Sequence, residues 1–192
     1  MEYRLKEILE NSENIKKILN RALSLQMPNW YLGAGCIAQT VWNSLHNFDS
    51  DTGINDFDLV YYDAEDISYE SEDIYIRKSK ELFKDISIPV EIRNQARVHL
   101  WYEKHFGLPI KQYKSVEEAI ASWPTTSTTI GVKYNNNGEF VVCAPNGLND
   151  LFEMIVRPNK VQITKEIYEG KVERWVKIWP KLKIISWEKE EI

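Results

Sequence analysis

Two aspartates open a strongly apolar segment of the chain and constrain what that segment can become. Asp56 and Asp58 stand two residues apart at the start of Asn55–Asp63, whose other residues are mostly aromatic or branched aliphatic. This composition predicts a β-strand, in which residues i and i+2 project from the same face. Because two carboxylates held that close repel each other, we expect a site for a hard divalent cation bound through oxygen ligands. The alternative is an ordinary pair of aspartates at a turn.

The bulk composition narrows the class of protein. A chain of 192 residues that is 43% hydrophobic and 28% charged is typical of one globular domain. A net charge of −5 argues against an extended nucleic-acid surface. Residues 1–25 are charged and amphipathic, so we expect neither a signal peptide nor a membrane span, and we expect a cytoplasmic protein without a membrane partner.

The periodicity along the chain predicts an α+β fold with a small mixed sheet and packed helices. Helices are expected at residues 2–25, 36–46, 74–83, 93–106, 115–123, 147–156 and 164–179. Strands are expected at 30–32, in the stretch 55–63 with the aspartates at its start, and at 88–92, 128–134 and 139–144, of which the last two flank a hairpin signal. We expect a single domain over 1–192, with a core at about 28–158 and a C-terminal helical extension at about 159–192.

Two further segments favour the same kind of site. Gly33–Gly35 follows a short strand and precedes a helix, where small residues and helix N–H groups suit a phosphate. Glu91 lies between Val90 and Ile92 in a predicted strand and therefore faces away from both. If that strand neighbours the aspartate strand, Glu91 joins Asp56 and Asp58. Three carboxylates beside a phosphate-binding turn can hold two Mg²⁺ ions.

The most basic stretch of this acidic protein is residues 91–114. Arg97 is the preferred phosphate contact within it, because a guanidinium group matches phosphate oxygens well. An ordinary solvated helix face is the alternative.

The order of these parts resembles the DNA-polymerase-β-like nucleotidyltransferase superfamily, and Tyr31–Ile37 is similar to the turn of tRNA CCA-adding enzymes. The chain more closely resembles a bacterial family of small nucleotidyltransferase-like proteins. The segments that carry this resemblance extend over most of the chain, from about Trp30 to Pro158, and are 33–42, 55–58, 94–99, 122–126 and 144–152.

This resemblance implies a polymerase-β-like nucleotidyltransferase core with additional N- and C-terminal helices. It implies transfer of a nucleoside monophosphate from a nucleoside triphosphate to an unknown acceptor, which is a small molecule, a protein or RNA, with release of pyrophosphate. The implied ligands of Mg²⁺ or Mn²⁺, which are also the catalytic residues, are Asp56, Asp58 and Glu91. The residues implied to border the triphosphate are Gly33, Ala34, Gly35 and Cys36.

Two alternatives remain open from the sequence. The turn lacks the Gly-Ser or Gly-Gly pair that is usual in the superfamily, and an extra loop at 47–55 separates it from Asp56, which favours a non-catalytic nucleotide- or protein-binding module. The complete carboxylate set favours an enzyme. A glycosyltransferase with an Asp-x-Asp motif is the other alternative, but it needs a full nucleotide-binding half before the motif, and this chain is too short there.

Overall fold

A five-stranded mixed sheet organises the protein in the computed structural model, which describes residues 1–189. Its strands are β1 (Tyr31–Gly33), β2 (Phe57–Tyr61), β3 (Val90–Asn94), β4 (Gly131–Tyr134) and β5 (Phe140–Cys143). Two short strands, β6 (Ile155–Val156) and β7 (Lys183–Ile184), form a second sheet. The last three residues of the predicted C-terminal extension lie outside the described residues.

Helices pack around the sheet. They are α1 (Glu2–Glu10), α2 (Glu13–Ala22), α3 (Gly35–His46), α4 (Tyr69–Leu82), α5 (Tyr102–Phe106), α6 (Val116–Ala121), α7 (Asn149–Phe152) and α8 (Lys165–Ile178). Short 3₁₀ helices occur at Leu23–Leu25, Gln95–Leu100 and Thr126–Thr128. Within residues 1–189, no helix combines the length and the apolar character needed to cross a membrane.

The strand order is β3-β2-β1-β4-β5, with β2 and β3 parallel and the other neighbours antiparallel. The predicted α+β class with a small mixed sheet is therefore confirmed. Because β2 and β3 are neighbours, the strand that carries Glu91 lies next to the strand that carries Asp58.

The two faces of the sheet are covered differently. Leu32, Leu59 and Ile92 belong to the main core, together with residues of α1, α2 and α3. On the opposite face, Tyr31 and Val60 pack against α6 in a much smaller cluster. Because side chains alternate along a strand, Asp58 lies on the less covered face.

Tryptophans pack the C-terminal helix α8 against α3. The rings of Trp175 and Trp179 meet that of Trp42 edge-on, with centroids 5.3 and 5.4 Å away. The Nε1 of Trp179 also donates a hydrogen bond of 2.7 Å to Oδ1 of Asn43. Such buried aromatic contacts fix the position of α8, and one side chain of α8 reaches the candidate site.

The helix predicted at 93–106 is wrong. Strand β3 continues to Asn94, a 3₁₀ helix follows, and only Tyr102–Phe106 is α-helical. The side-chain oxygen of Asn94 accepts a hydrogen bond of 3.0 Å from the backbone N–H of Ala96, which turns the chain at the end of the strand. Arg93 therefore belongs to the strand and not to a helix.

Two other boundaries differ from the prediction for identifiable reasons. The helix predicted at 147–156 is shorter in the structure, where only α7 is helical, because Ile155–Val156 pairs with Lys183–Ile184 far along the chain. The helix predicted at 74–83 already begins at Tyr69, where the Ser68 hydroxyl accepts a hydrogen bond of 3.2 Å from the N–H of Ser71.

Candidate functional site

The turn between β1 and α3 is tightly constrained. A Cβ atom on Gly33 would lie 2.7 Å from the carbonyl oxygen of Ile130 and 2.8 Å from the Trp123 ring, so only glycine fits there. Ala34 follows with φ 62° and ψ −135°, a backbone conformation that costs about 1–3 kcal/mol in a residue with a side chain. The turn sets the N-terminus of α3 near the end of β2 that carries Asp58, and the first N–H groups of the helix have no partner within it.

Cys36 lies in the first turn of α3 but does not present its thiol. The residue is 1% exposed, and its Sγ donates a hydrogen bond of 3.1 Å to the carbonyl oxygen of Gly33. Burial raises the pKa of this thiol, and the nearby charge of Asp58 raises it further. The side chain of Cys36 is therefore a neutral packing group, and the residue can offer a phosphate only its backbone N–H.

The register of the sheet brings the turn and two of the carboxylates together. Gly33 pairs with Asp58 across β1 and β2, and Asp58 pairs with Glu91 across β2 and β3. Paired residues of neighbouring strands project from the same face, so Asp58 and Glu91 lie side by side. Asp56 immediately precedes β2, and its negative charge acts on the Asp58 carboxyl group.

The charge of Asp58 is unfavourable in this position. Burial raises the pKa of its carboxyl group to about 7, and the negative charges of Asp56 and Glu91 contribute to the rise. The positive charges of Arg93 and Lys171 oppose it. Because burial is the main cause of this rise, a cation bound beside Asp58 would favour the charged form of its carboxyl group.

The third predicted carboxylate has a partner of its own. Glu91 accepts a hydrogen bond of 2.9 Å from Nη2 of Arg93, two residues along β3. Across residues 1–189, no group of three or more histidine, cysteine, aspartate or glutamate side chains is arranged to hold a metal ion. The role of Asp56, Asp58 and Glu91 as metal ligands therefore stays a prediction.

The structure adds Lys171, a residue that sequence reasoning missed. It projects from α8 and lines the same cavity as Asp58 and Arg93. Burial lowers the pKa of its ammonium group, and Arg174 lowers it too, whereas Asp58 and Asp56 raise it. Because α8 lies so far from β2 in the sequence, no local pattern connects Lys171 with the aspartates.

Arg97, the predicted phosphate contact, lies elsewhere. Its Nη1 atom binds Glu72 of α4 at 2.5 Å, and its Nε atom donates to the carbonyl oxygen of Ile67 at 3.2 Å. Glu72 and Arg97 also influence the pKa of Tyr61, which belongs to the core face of β2, opposite Asp58. Arg97 is thus paired with a carboxylate on the opposite face of the sheet from Asp58.

The unfavourable charge of Asp58 predicts a pH-dependent gain in stability for Asp58→Asn. The folded carboxyl has a pKa of about 7 against an ordinary value of 3.8, so both states are neutral below about pH 4 and both are charged above pH 7. The free-energy penalty of holding the ionised Asp58 carboxylate in the folded protein is absent below about pH 4, grows as the pH rises, and is complete above pH 7. Asp58→Asn should raise the free energy of unfolding at pH 8 by on the order of 2–4 kcal/mol.

Urea denaturation of parent and variant at pH 4.5 and pH 8, with a chelator present, measures this difference. Asp49→Asn is the matched control, because it removes the same charge from an exposed position in the loop before β2. We expect no pH-dependent gain from it. A gain for Asp58→Asn of the same size at both pH values would contradict the prediction.

Two comparisons with known proteins gave matches that extend over most of this chain. A family model described as "Nucleotidyltransferase" matches residues 20–184. A solved structure, described as an NMR structure that reveals a CCA-adding enzyme head domain, superposes with a TM-score of 0.75 at 25% sequence identity. The alignment covers 94% of this chain and 95% of that chain. A search of curated proteins found no match.

Proposed function

The chain belongs to the nucleotidyltransferase family, and we propose that it transfers a nucleoside monophosphate from a nucleoside triphosphate to an acceptor with release of pyrophosphate. The observation that carries this proposal is the pairing of Gly33 with Asp58, which sets the N-terminus of α3 beside the aspartate pair. A triphosphate on the turn would then have its α-phosphate next to the carboxylates.

The donor set fits Mg²⁺ or Mn²⁺. Asp56 and Asp58 would supply carboxylate oxygens, which such hard ions prefer, and burial makes the charged form of Asp58 unfavourable unless a cation lies beside it. Glu91 would complete the set if Arg93 releases it. A bound ion would neutralise charge that develops on the transferred phosphate.

Basic groups of the chain would hold the phosphates that leave. Arg93 and Lys171 line the cavity next to Asp58, and the first N–H groups of α3 lie at the turn. Positive charge and free N–H groups together favour a phosphate at this position. In this proposal Arg93 and Lys171 contact the phosphates, which is the role that the sequence predicts for Arg97.

The proposed step is a displacement at the α-phosphorus. An acceptor oxygen forms a bond to that phosphorus, the bond to the oxygen that bridges the α- and β-phosphates breaks, and pyrophosphate leaves with the electron pair. The acceptor loses its proton, for which the Glu91 carboxylate is the nearest candidate base. The acceptor is a small molecule, a protein or RNA.

Incubation with nucleotide labelled at the α-phosphate, Mg²⁺ and cell metabolite, protein or RNA fractions tests the reaction. We expect label in one acceptor fraction together with an equal amount of pyrophosphate, and neither product when Mg²⁺ is chelated. Nucleotide binding with no transfer to any fraction would favour the non-catalytic module. Release of γ-phosphate instead of pyrophosphate would overturn the reaction class.

A further inference from the structure

A cavity of about 300 Å³ begins at the carboxylate site and extends away from it. Ala34 of the turn, Asp58, Arg93 and Lys171 line one part of it. Aromatic rings line the remainder, and the main ones are Trp101, Tyr102, Tyr113 and Trp123. The cavity therefore combines charged groups beside the phosphate turn with ring surfaces further away.

Two glutamine amides border the aromatic part. Gln95 is only 6% exposed, yet the one hydrogen bond that its side chain makes to residues 1–189 is a contact of 3.5 Å from Nε2 to the carbonyl oxygen of Arg93. Gln162 accepts a hydrogen bond of 2.5 Å from the Tyr113 hydroxyl. The amide of Gln95 thus keeps most of its capacity to donate and to accept, at a buried position facing the cavity.

We propose that this cavity is the base pocket of the nucleotide, in which the aromatic rings stack on the nucleobase and Gln95 hydrogen-bonds to its edge. The inference rests on the proposed function and adds a binding site for the nucleobase, which the carboxylates do not contact. Flat rings stack on every nucleobase, whereas a side-chain amide, which both donates and accepts, distinguishes one base edge from another.

The lining favours the nucleotide over the acceptor as occupant. Ala34 of the phosphate turn borders the cavity, whereas Glu91, the candidate base for the acceptor's proton, does not. The volume is at the lower end of the range for ligand pockets, which suits a single planar ring system rather than a nucleic-acid strand. Two larger grooves, of about 600 and 620 Å³, include neither aspartate in their linings.

Calorimetric titration of the whole protein with the Mg²⁺ complexes of ATP, GTP, CTP, UTP and inorganic tripolyphosphate tests the proposal. Tripolyphosphate carries the charges of a nucleotide without a base. We expect at least one nucleotide to bind about tenfold more tightly than tripolyphosphate or better, because stacking adds to the phosphate contacts. Gln95→Leu should narrow the differences among the four nucleotides and leave the affinity for tripolyphosphate unchanged.

Trp101→Ala removes a partly exposed ring of the cavity and should weaken binding of the preferred nucleotide about tenfold, again without effect on tripolyphosphate. Phe48→Ala is the matched control, because Phe48 is 41% exposed and does not line the cavity. It should change neither affinity. Unchanged tripolyphosphate binding also shows that each variant is folded.

The outcomes separate this inference from the proposed function. If neither nucleotides nor tripolyphosphate bind, the proposed function fails and the base pocket fails with it. If nucleotides bind and react but Gln95→Leu and Trp101→Ala leave their affinities unchanged, only the base pocket is overturned. If the two variants raise the KM for the acceptor alone, the cavity holds the acceptor, which also overturns the inference.

Discussion

Asp58→Asn should reduce nucleotidyl transfer by about 1,000-fold or more, the largest effect on activity that we expect from any single change. Asparagine keeps the size of the side chain and one oxygen but removes the negative charge that would hold a divalent cation. Charge developing on the transferred phosphate would then lack its counter-charge. Pyrophosphate release at saturating nucleotide and Mg²⁺, with an acceptor fraction that supports transfer by the parent, measures the loss.

The same substitution separates loss of activity from loss of folding. Because burial and the charges of Asp56 and Glu91 disfavour ionised Asp58, the variant should be more stable than the parent at pH 8 while it is inactive. Asp49→Asn again serves as the control and should retain full activity. An Asp58→Asn protein that keeps a tenth of the parental rate would show that the metal ligands lie elsewhere.

The sequence predicted the central strand of the site because its signals are local. Alternation along Phe57–Tyr61 and the glycines after Tyr31–Leu32 follow from short-range backbone and side-chain preferences. These patterns predicted that Asp56 and Asp58 share one face of a strand and that a turn precedes α3. They left open whether Glu91 lies beside Asp58, since strand order depends on contacts between segments far apart in the chain.

The parts that the sequence did not predict depend on such distant contacts. Lys171 reaches the site only because Trp175 and Trp179 pack against Trp42. Gln95 and Trp101 meet at one cavity because β3 ends at Asn94 and the chain then turns. No periodic pattern within either segment contains this information.

The position of Arg97 depends on where strand β3 ends. A helix from residue 93 would have carried Arg97 along an exposed face beside the carboxylates. The strand instead extends to Asn94, and the following 3₁₀ turn carries Arg97 to the core face of the sheet. The basic residues beside Asp58 are then Arg93, which shares the face of Glu91, and Lys171.

Arg97→Met should therefore destabilise the fold by about 3–5 kcal/mol, because it leaves the Glu72 carboxylate buried without its cation. The side chains of Arg97 and Glu72 are only 12% and 4% exposed. Glu72 also accepts a hydrogen bond of 2.7 Å from the backbone N–H of Asn94, so its position supports the end of β3. Urea denaturation midpoints at pH 7.5 measure the loss.

Two further variants show whether an uncompensated charge is the cause. Combining Arg97→Met with Glu72→Gln keeps an acceptor for the Asn94 N–H and removes the buried charge, so it should recover more than half of the lost stability. Arg77→Met is the matched control, since Arg77 is 79% exposed in its ion pair with Asp73 and should cost less than about 0.5 kcal/mol. The folded double variant should bind Mg²⁺-nucleotide as the parent does, because Arg97 lies on the far face from Asp58. A tenfold loss of nucleotide affinity in that folded protein would indicate that Arg97 contacts the phosphates, as the sequence predicts.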